Sequence, residues 1–252
     1  MTVVVITGAS SGLGREYVRQ VIKQVPSVEE IWLVARRADI LEKIASEYPK
    51  QIFRLLPLDL TNATDLDAYR ATLRETQAEV SLLINCAGCG KLGTFAEEEV
   101  DTQLRMVDLN CRALTAVTNL TLPYMGKGSG VLNVSSIASY VPTPNMAVYS
   151  ATKAYVTAFS HAIAEELLPR GIRVLCTCPG PMATEFLDIA AISGNSKTFQ
   201  RLPYCRPEMV AEQSLRRLLR GKRWYTPRIP YKFMRLLAKI LPIRIALKLS
   251  KV

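Results

Sequence analysis

The chain opens on a β-branched run, TVVVIT (2–7), that passes without a linker into TGASSGLGR (7–15). No other feature constrains the fold as much. A short apolar run bounded by Gly and Ser reads as a buried strand. The loop after it must turn sharply off that strand and begin a helix at once. Gly8 permits the turn, while Gly12 and Gly14 let the backbone approach a neighbour or a ligand closely. The loop, Gly8 with Ser10, Ser11, Gly12, Leu13 and Gly14, then sets unpaired N–H groups at a helix N-terminus, a place suited to a pyrophosphate. The spacing is G-x-x-x-G-x-G and not the commoner G-x-G-x-x-G, so the signal lies in its position directly after a strand.

The strand pattern recurs in IWLVA (31–35), IFRLLPL (52–58), SLLINCA (81–87), GVLNVSS (130–136) and IRVLCTC (172–178). The stretches 12–24, 38–48, 63–77, 97–120 and 147–168 read as helices. Strand alternating with helix predicts right-handed crossovers and a parallel sheet covered on both faces. No linker divides residues 1–220, and 252 residues suit one α/β domain. Residues 181–207, from PMATEF to RLPYCRP, break the rhythm. They read as a flap over a site or as a plain surface excursion.

Composition narrows the classes further. Hydrophobic residues make up 49% of the chain, enough for a sizeable core, and no long uninterrupted apolar run predicts a membrane span. The opening MTVVVITGAS has no basic n-region, so no signal peptide is expected. A chain this long does not need disulfides, and its six cysteines are expected to be reduced thiols in the cytoplasm. CAGC (86–89) has redox spacing but ends a strand instead of opening a helix, which favours packing. GASSG (8–12) matches the G-x-S-x-G elbow of hydrolases, yet too little chain precedes it to build an oxyanion loop. The only histidine is His161, so neither that chemistry nor a histidine metal site is expected.

The net charge of +10 is uneven, because from Gln213 onward there are twelve Lys and Arg and no Asp or Glu. The basicity belongs to the tail. This argues against a nucleic-acid face spread over the domain and asks what the tail touches.

Two arginines, Arg36 and Arg37, follow the second strand where an acidic residue commonly holds the ribose hydroxyls of NAD. Two guanidiniums there suit a 2′-phosphate and so predict NADP(H) over NAD(H), the other reading being a solvated basic turn. Asp59, at the end of the third strand, is placed to accept from an adenine amine or to cap the helix after Thr61.

AVYSATKAYV (147–156) puts Tyr149 four residues before Lys153, on one helix face. A phenol near pKa ~10 exchanges protons poorly at neutral pH, and a neighbouring ammonium is expected to lower it. Ser136, at the end of the fifth strand, is then placed to bond a carbonyl oxygen that Tyr149 protonates.

Taken in order, TGASSGLG, DL (59–60), NCAG (85–88), Asn110, Ser136, YSATK (149–153) and PGPMAT (179–184) resemble the short-chain dehydrogenase/reductase family over about residues 2–226. The resemblance implies a seven-stranded Rossmann-type sheet, order 3-2-1-4-5-6-7, with RWYT (223–226) as last strand. It implies catalytic roles for Asn110, Ser136, Tyr149 and Lys153, with Asn110 holding a relay water. Tyr149 and Lys153 would also contact the cofactor, Lys153 at the nicotinamide ribose. Asp59, Leu60, Asn85, Ala87, Gly88, Pro179 and Gly180 would line its path, and Thr184 would meet the carboxamide or a phosphate. Cys86 replaces the second asparagine usual in this motif, a change that concerns sheet packing more than catalysis.

The resulting expectation is an NADP-dependent oxidoreductase, domain 1–226, acting on a small carbonyl or secondary alcohol, with an apolar substrate suggested by YVPTPNMAV and FLDIAAI. A 3-oxoacyl-carrier-protein reductase and a non-catalytic NADP-binding regulator are the alternatives. Relatives of the first kind usually close on an acidic DGG segment, where this chain has WYTPRIPY. A homodimer or homotetramer through 97–120 and 147–168 is expected from the family.

The extension 227–252 holds Phe233, Leu236, Leu237, Ile240 and Leu241 at helical spacing, with Lys232, Arg235 and Lys239 on the other side. Pro242 should break the helix. Its apolar face must bury as a lid, against a partner subunit, or peripherally into an anionic membrane at the inner surface.

Overall fold

The structure is a computed structural model that describes residues 1–192 and 202–250. Its strands are β1 (Thr2–Thr7), β2 (Glu30–Val34), β3 (Ile52–Leu56), β4 (Glu79–Asn85), β5 (Gly130–Val134), β6 (Arg173–Thr177) and β7 (Trp224–Tyr225). All neighbours pair in parallel, in the order β3-β2-β1-β4-β5-β6-β7, which is the sheet expected from the resemblance.

Alternation along the central strand divides the core. Val4 and Ile6 pack with α1 (Gly12–Gln24), α2 (Ala38–Ser46) and a later helix, Pro207–Leu219. Val3 and Val5 pack on the other side with α3 (Ala63–Thr76), α5 (Leu114–Thr121) and α6 (Ala147–Glu166). β1 lies between β2 and β4, so the chain changes direction of winding there. Loops leaving the carboxyl ends of β1 and β4 diverge and open a crevice, the usual ligand position in such sheets.

β1 ends at Thr7 as its pattern suggested, whereas β2 to β6 each end one or two residues earlier than theirs. Ala35, Leu58, Cys86, Ala87, Ser135 and Ser136 lie past the ladder and face the crevice. Ala35, Leu58, Cys86 and Ala87 carry the apolar pattern past the ladder as half-buried residues of the crevice wall.

The single helix expected over 97–120 is three pieces: α4 (Val100–Val107), a π-helical segment (Asp108–Ala113) and α5. A π segment accommodates one extra residue without ending the helix, so the hydrophobic period hardly changes. Asn110 sits in it, turned inward and buried.

After β6 come α7 (Glu185–Ile189), α8 (Pro207–Leu219), β7, α9 (Ile229–Ile240) and α10 (Ile243–Leu249). The expected flap 181–207 is described only in part, since 193–201 lie outside the described residues. Its two ends are tied by a parallel bridge between Met182 and Cys205. The tail helices break at Pro242, as the ring requires. Among the described residues no helix is long and apolar enough to cross a membrane.

Candidate active site

A cavity of about 720 Å³ fills the crevice above β1 and β4. Its floor is the glycine loop. Gly8 has φ +69°, and a Cβ there would lie 2.8 Å from the Ala87 backbone. A Cβ on Gly14 would collide with the Gly8 carbonyl and lie 2.7 Å from its carbon. Gly12, at φ +48°, meets Thr184, whose Cβ would be 3.1 Å from an added methyl group. Ser11 caps α1 without a side-chain bond to its first turn, so the loop presents backbone N–H groups to the cavity. A backbone cradle that tolerates no side chain, below a helix N-terminus, fits a dinucleotide's phosphates. The Thr7 hydroxyl ties this floor to the β4 loop by accepting from Cys86 N and Ala87 N, each at 3.1 Å.

The basic pair lies at the cavity's far end, and its members differ. Arg37 donates to Ser10 Oγ at 3.2 Å and to Glu185 at 3.1 Å. Arg36 is exposed and pairs with Asp59 at 3.8 Å. Asp59 also accepts from Arg105 at 2.9 Å and from the Thr61 amide and hydroxyl. Burial pushes its carboxyl up, but those bonds outweigh burial and hold it down at about 2. Asp59 does not cap α3: Asn62 does, accepting from Thr64 N at 2.9 Å. Arg105 is a third guanidinium lining this end. In the sequence it is one arginine on an amphipathic helix, with nothing to mark it.

Asn85 stands behind the cavity wall. Its amide donates to Thr118 and Asn133, each at 2.9 Å, and so bonds β4 to its surroundings beneath the ligand path. Leu60, Ala87, Gly88, Pro179 and Gly180 line the cavity directly. The Cys86 and Cys89 thiols are pushed up by burial, Cys86 to about 12, which suits packing and not redox exchange.

Ser136, Tyr149 and Lys153 meet on the opposite wall. α6 delivers Tyr149 and Lys153 one turn apart, both buried. Lys153 Nζ donates to Val134 O at 3.0 Å and lies 5.9 Å from the Tyr149 ring centre. Ser136 Oγ accepts from Ala138 N at 3.1 Å, which fixes its rotamer at the end of β5. Asn110 donates to Cys89 O at 2.8 Å and to Thr152 at 3.0 Å, and accepts from Cys89 N at 2.9 Å. Gly88 lets Asn110 and Lys153 converge, since a methyl group there would lie 3.1 Å from Asn110 Oδ1 and 3.2 Å from Lys153 Nζ.

One electrostatic expectation is overturned. Burial pushes the Tyr149 phenol up to about 12, and its hydrogen bond with Ser136 pulls only partly the other way. Burial also pushes the Lys153 amine down. The dry wall outweighs the Ser136 hydrogen bond, and Lys153 Nζ, 5.9 Å from the ring centre, does not reverse the shift.

The tail closes the cavity from above. Met234, Leu237 and Ala238 of α9, Leu241 just after it and Ala246 of α10 line it. Tyr231 is buried against Gly180, where a methyl group would strike its ring, and its hydroxyl donates to Pro203 O at 2.7 Å. Ser250 donates to Pro142 O at 2.9 Å. Phe186, the first residue of FLDIAAI, packs with its ring centre 5.8 Å from that of Tyr149. The amphipathic spacing of the tail was the available signal, but it did not say where the face would dock.

The family profile described as short chain dehydrogenase matches residues 2–191. The chain is similar to a serine 3-dehydrogenase of Agrobacterium fabrum, 34% identical over 79% of each chain. A solved structure of a short-chain dehydrogenase from Sphingobium yanoikuyae in complex with NADPH superposes with TM-score 0.81 at 27% identity, covering 95% of this chain and 94% of the other. A 3-ketoacyl-(acyl-carrier-protein) reductase from Brucella melitensis complexed with NADH superposes with TM-score 0.77 at 26% identity, covering 90% and 96%.

Proposed function

The chain belongs to the short-chain dehydrogenase family of oxidoreductases, and from that premise we propose that it reduces an apolar ketone with NADPH as preferred partner. The observation that carries this reading is one cavity with the glycine cradle at one end and Ser136, Tyr149 and Lys153 on its wall. The nicotinamide, when bound, supplies or accepts the hydride. The chain's own residues handle the proton and the oxygen. Tyr149 holds its proton on Oη and gives it to the carbonyl oxygen as charge develops there. Ser136 Oγ donates to the same oxygen and orients it. Lys153 keeps a positive charge near the phenol as it loses its proton, and Asn110 holds the loop at Cys89 against α6. Burial keeps the phenol in its protonated, proton-donating form at neutral pH.

The apolar roof and Phe186 favour a carbonyl flanked by hydrocarbon. Loss of NADPH absorbance across a panel from short β-keto esters to large alicyclic ketones tests this. Turnover rising with apolar bulk supports the reading; turnover confined to small polar substrates overturns the apolar part.

Cofactor preference rests on Arg36, which stands exposed beside Asp59 while Arg37 is held by Ser10 and Glu185. Arg36→Ala is expected to weaken NADPH binding about ten- to a hundredfold, ~1.5–3 kcal/mol, with little effect on NADH. Fluorescence titration with both cofactors checks it. An unchanged NADPH constant, with NADH bound equally well by the parent, would leave Arg36 a solvated residue.

Self-association is expected through α4 and α6. Val100, Leu104 and Val107 form an exposed stripe on α4, and Tyr155 is exposed on α6. Light scattering at micromolar concentration should give a dimer or tetramer, and Leu104→Glu should shift it toward monomer.

A further inference from the structure

Helix α9 carries apolar residues on two sides. The inner side roofs the cavity. On the outer side Ile229, Phe233, Leu236 and Ile240 are 79%, 60%, 54% and 69% exposed. Steps of four, three and four residues place them on one stripe of the helix. Ile243 and Ile245 of α10 are exposed beyond it. A contiguous apolar surface of this kind marks an interaction site more often than a plain solvent face.

Its charge surroundings select the occupant. Lys232, Lys239 and Arg244 are exposed in the same two helices, and no Asp or Glu occurs from Gln213 to the end of the chain. A second copy docked stripe to stripe about a two-fold axis would bring these cations against their own counterparts. Anionic headgroups complement them, while the acyl boundary below takes the stripe. The stripe on α4 differs: Val100 and Leu104 stand among Glu97, Glu98, Glu99 and Asp101, which suits another protein surface and not an anionic one.

Anchoring keeps the outer stripe outward. Arg235 lies 3.8 Å from the Trp224 ring centre, and His161 stacks on the same side chain at 4.8 Å. With Tyr231 buried beneath, α9 is held with its inner side on the cavity.

We propose that α9 and α10 lie flat on anionic membrane surfaces through Ile229, Phe233, Leu236 and Ile240, so that one helix is both the roof of the cavity and the docking face. Each basic residue near anionic lipid adds roughly fivefold to partition.

The test is co-sedimentation of the full chain with vesicles of phosphatidylcholine alone and of phosphatidylcholine with phosphatidylglycerol. Binding to the mixed vesicles is expected to exceed binding to neutral ones by about tenfold at low salt and to fall as salt is raised. The double variant Phe233→Glu/Ile240→Glu alters only the outer stripe and should lose about tenfold or more of that binding, with an unchanged melting midpoint. Should that variant fold poorly, Lys232→Glu/Lys239→Glu should give the same loss. No pellet on mixed vesicles at low salt, equal pelleting on neutral vesicles, or a pellet indifferent to both variants overturns the proposal. A lipid-free oligomer that dissociates on Phe233→Glu/Ile240→Glu also overturns it, by showing that a second copy covers the stripe. Pelleting is read without turnover, so failure of the ketone reading leaves this result unaffected.

Discussion

Replacing Tyr149 by Phe is expected to lower turnover of any accepted ketone by on the order of 10²–10⁴-fold while leaving NADPH affinity within a few-fold of the parent. The substitution removes one hydroxyl and keeps the ring. The ring's contacts survive: Phe186 at 5.8 Å and the methyl-free space left by Gly90, where a Cβ would lie 3.0 Å from Tyr149 Cδ2. Among the described residues, the lost group is the one buried phenol that shares a cavity wall with Ser136 and Lys153. Three measurements separate the outcomes: kcat, NADPH affinity by fluorescence, and the melting midpoint. A binding or packing role would move the second or third. Turnover within threefold of the parent would remove Tyr149 as proton donor. In the oxidative direction the parent's rate should rise with pH toward the phenol's titration, because only phenolate accepts a proton and burial holds the phenol high.

The parts of this site that were legible in the sequence are those where one residue type is compelled by backbone geometry or by chemistry. Gly8 and Gly14 are such positions, since any side chain would strike another strand's loop or the turn itself. Tyr149 and Lys153 are another, because helical spacing alone puts them on one face. The sheet order was legible only through the family resemblance; alternation predicts a parallel sheet but not which strands are neighbours. What stayed hidden depends on groups distant in sequence. Arg105 matters because Asp59 lies 2.9 Å away, and the two are far apart in the chain. Asn110 turns inward through a π segment whose extra residue leaves the apolar pattern almost intact. The Tyr149 phenol rises and does not fall because its acidity depends on how dry the wall is, which no spacing records. The tail shows the same limit from the other side. Helical spacing puts Leu237 and Leu241 on one apolar face with Phe233, Leu236 and Ile240, yet the first two line the cavity and the last three stay exposed. A periodicity identifies which residues are apolar, and only the packed structure divides them between two surfaces.

Gly14→Ala is expected to damage both the fold and cofactor binding, out of proportion to one methyl group. On an ordinary helix the change would be neutral or stabilising, since Ala is the better helix former by about 1 kcal/mol. Here the new Cβ would collide with the Gly8 carbonyl, 2.7 Å from its carbon and 3.2 Å from Ala9 Cα. These are backbone atoms of the turn itself, so no rotamer relieves the clash. The turn cannot retreat either, because Gly8 N donates to Val34 O at 2.8 Å and its Cα face abuts Ala87. Relief must come from α1 moving off the sheet, where Leu13, Tyr17, Val18 and Val21 are buried. Overpacking of this kind costs about 1–3 kcal/mol, and a backbone clash lies at the upper end. In a chain of this size that lowers the melting midpoint by roughly 5–10 °C. The same displacement carries the N–H groups of the first turn away from the phosphates, and NADPH affinity should fall by on the order of a hundredfold. Gly126→Ala is the control: no atom lies within 4 Å of its added methyl group, and it should match the parent within about a degree and in cofactor affinity. Thermal melts and NADPH titrations on the two variants decide the matter. If Gly14→Ala melts and binds like Gly126→Ala, the turn has slack, and close backbone approach is not what shapes the cradle.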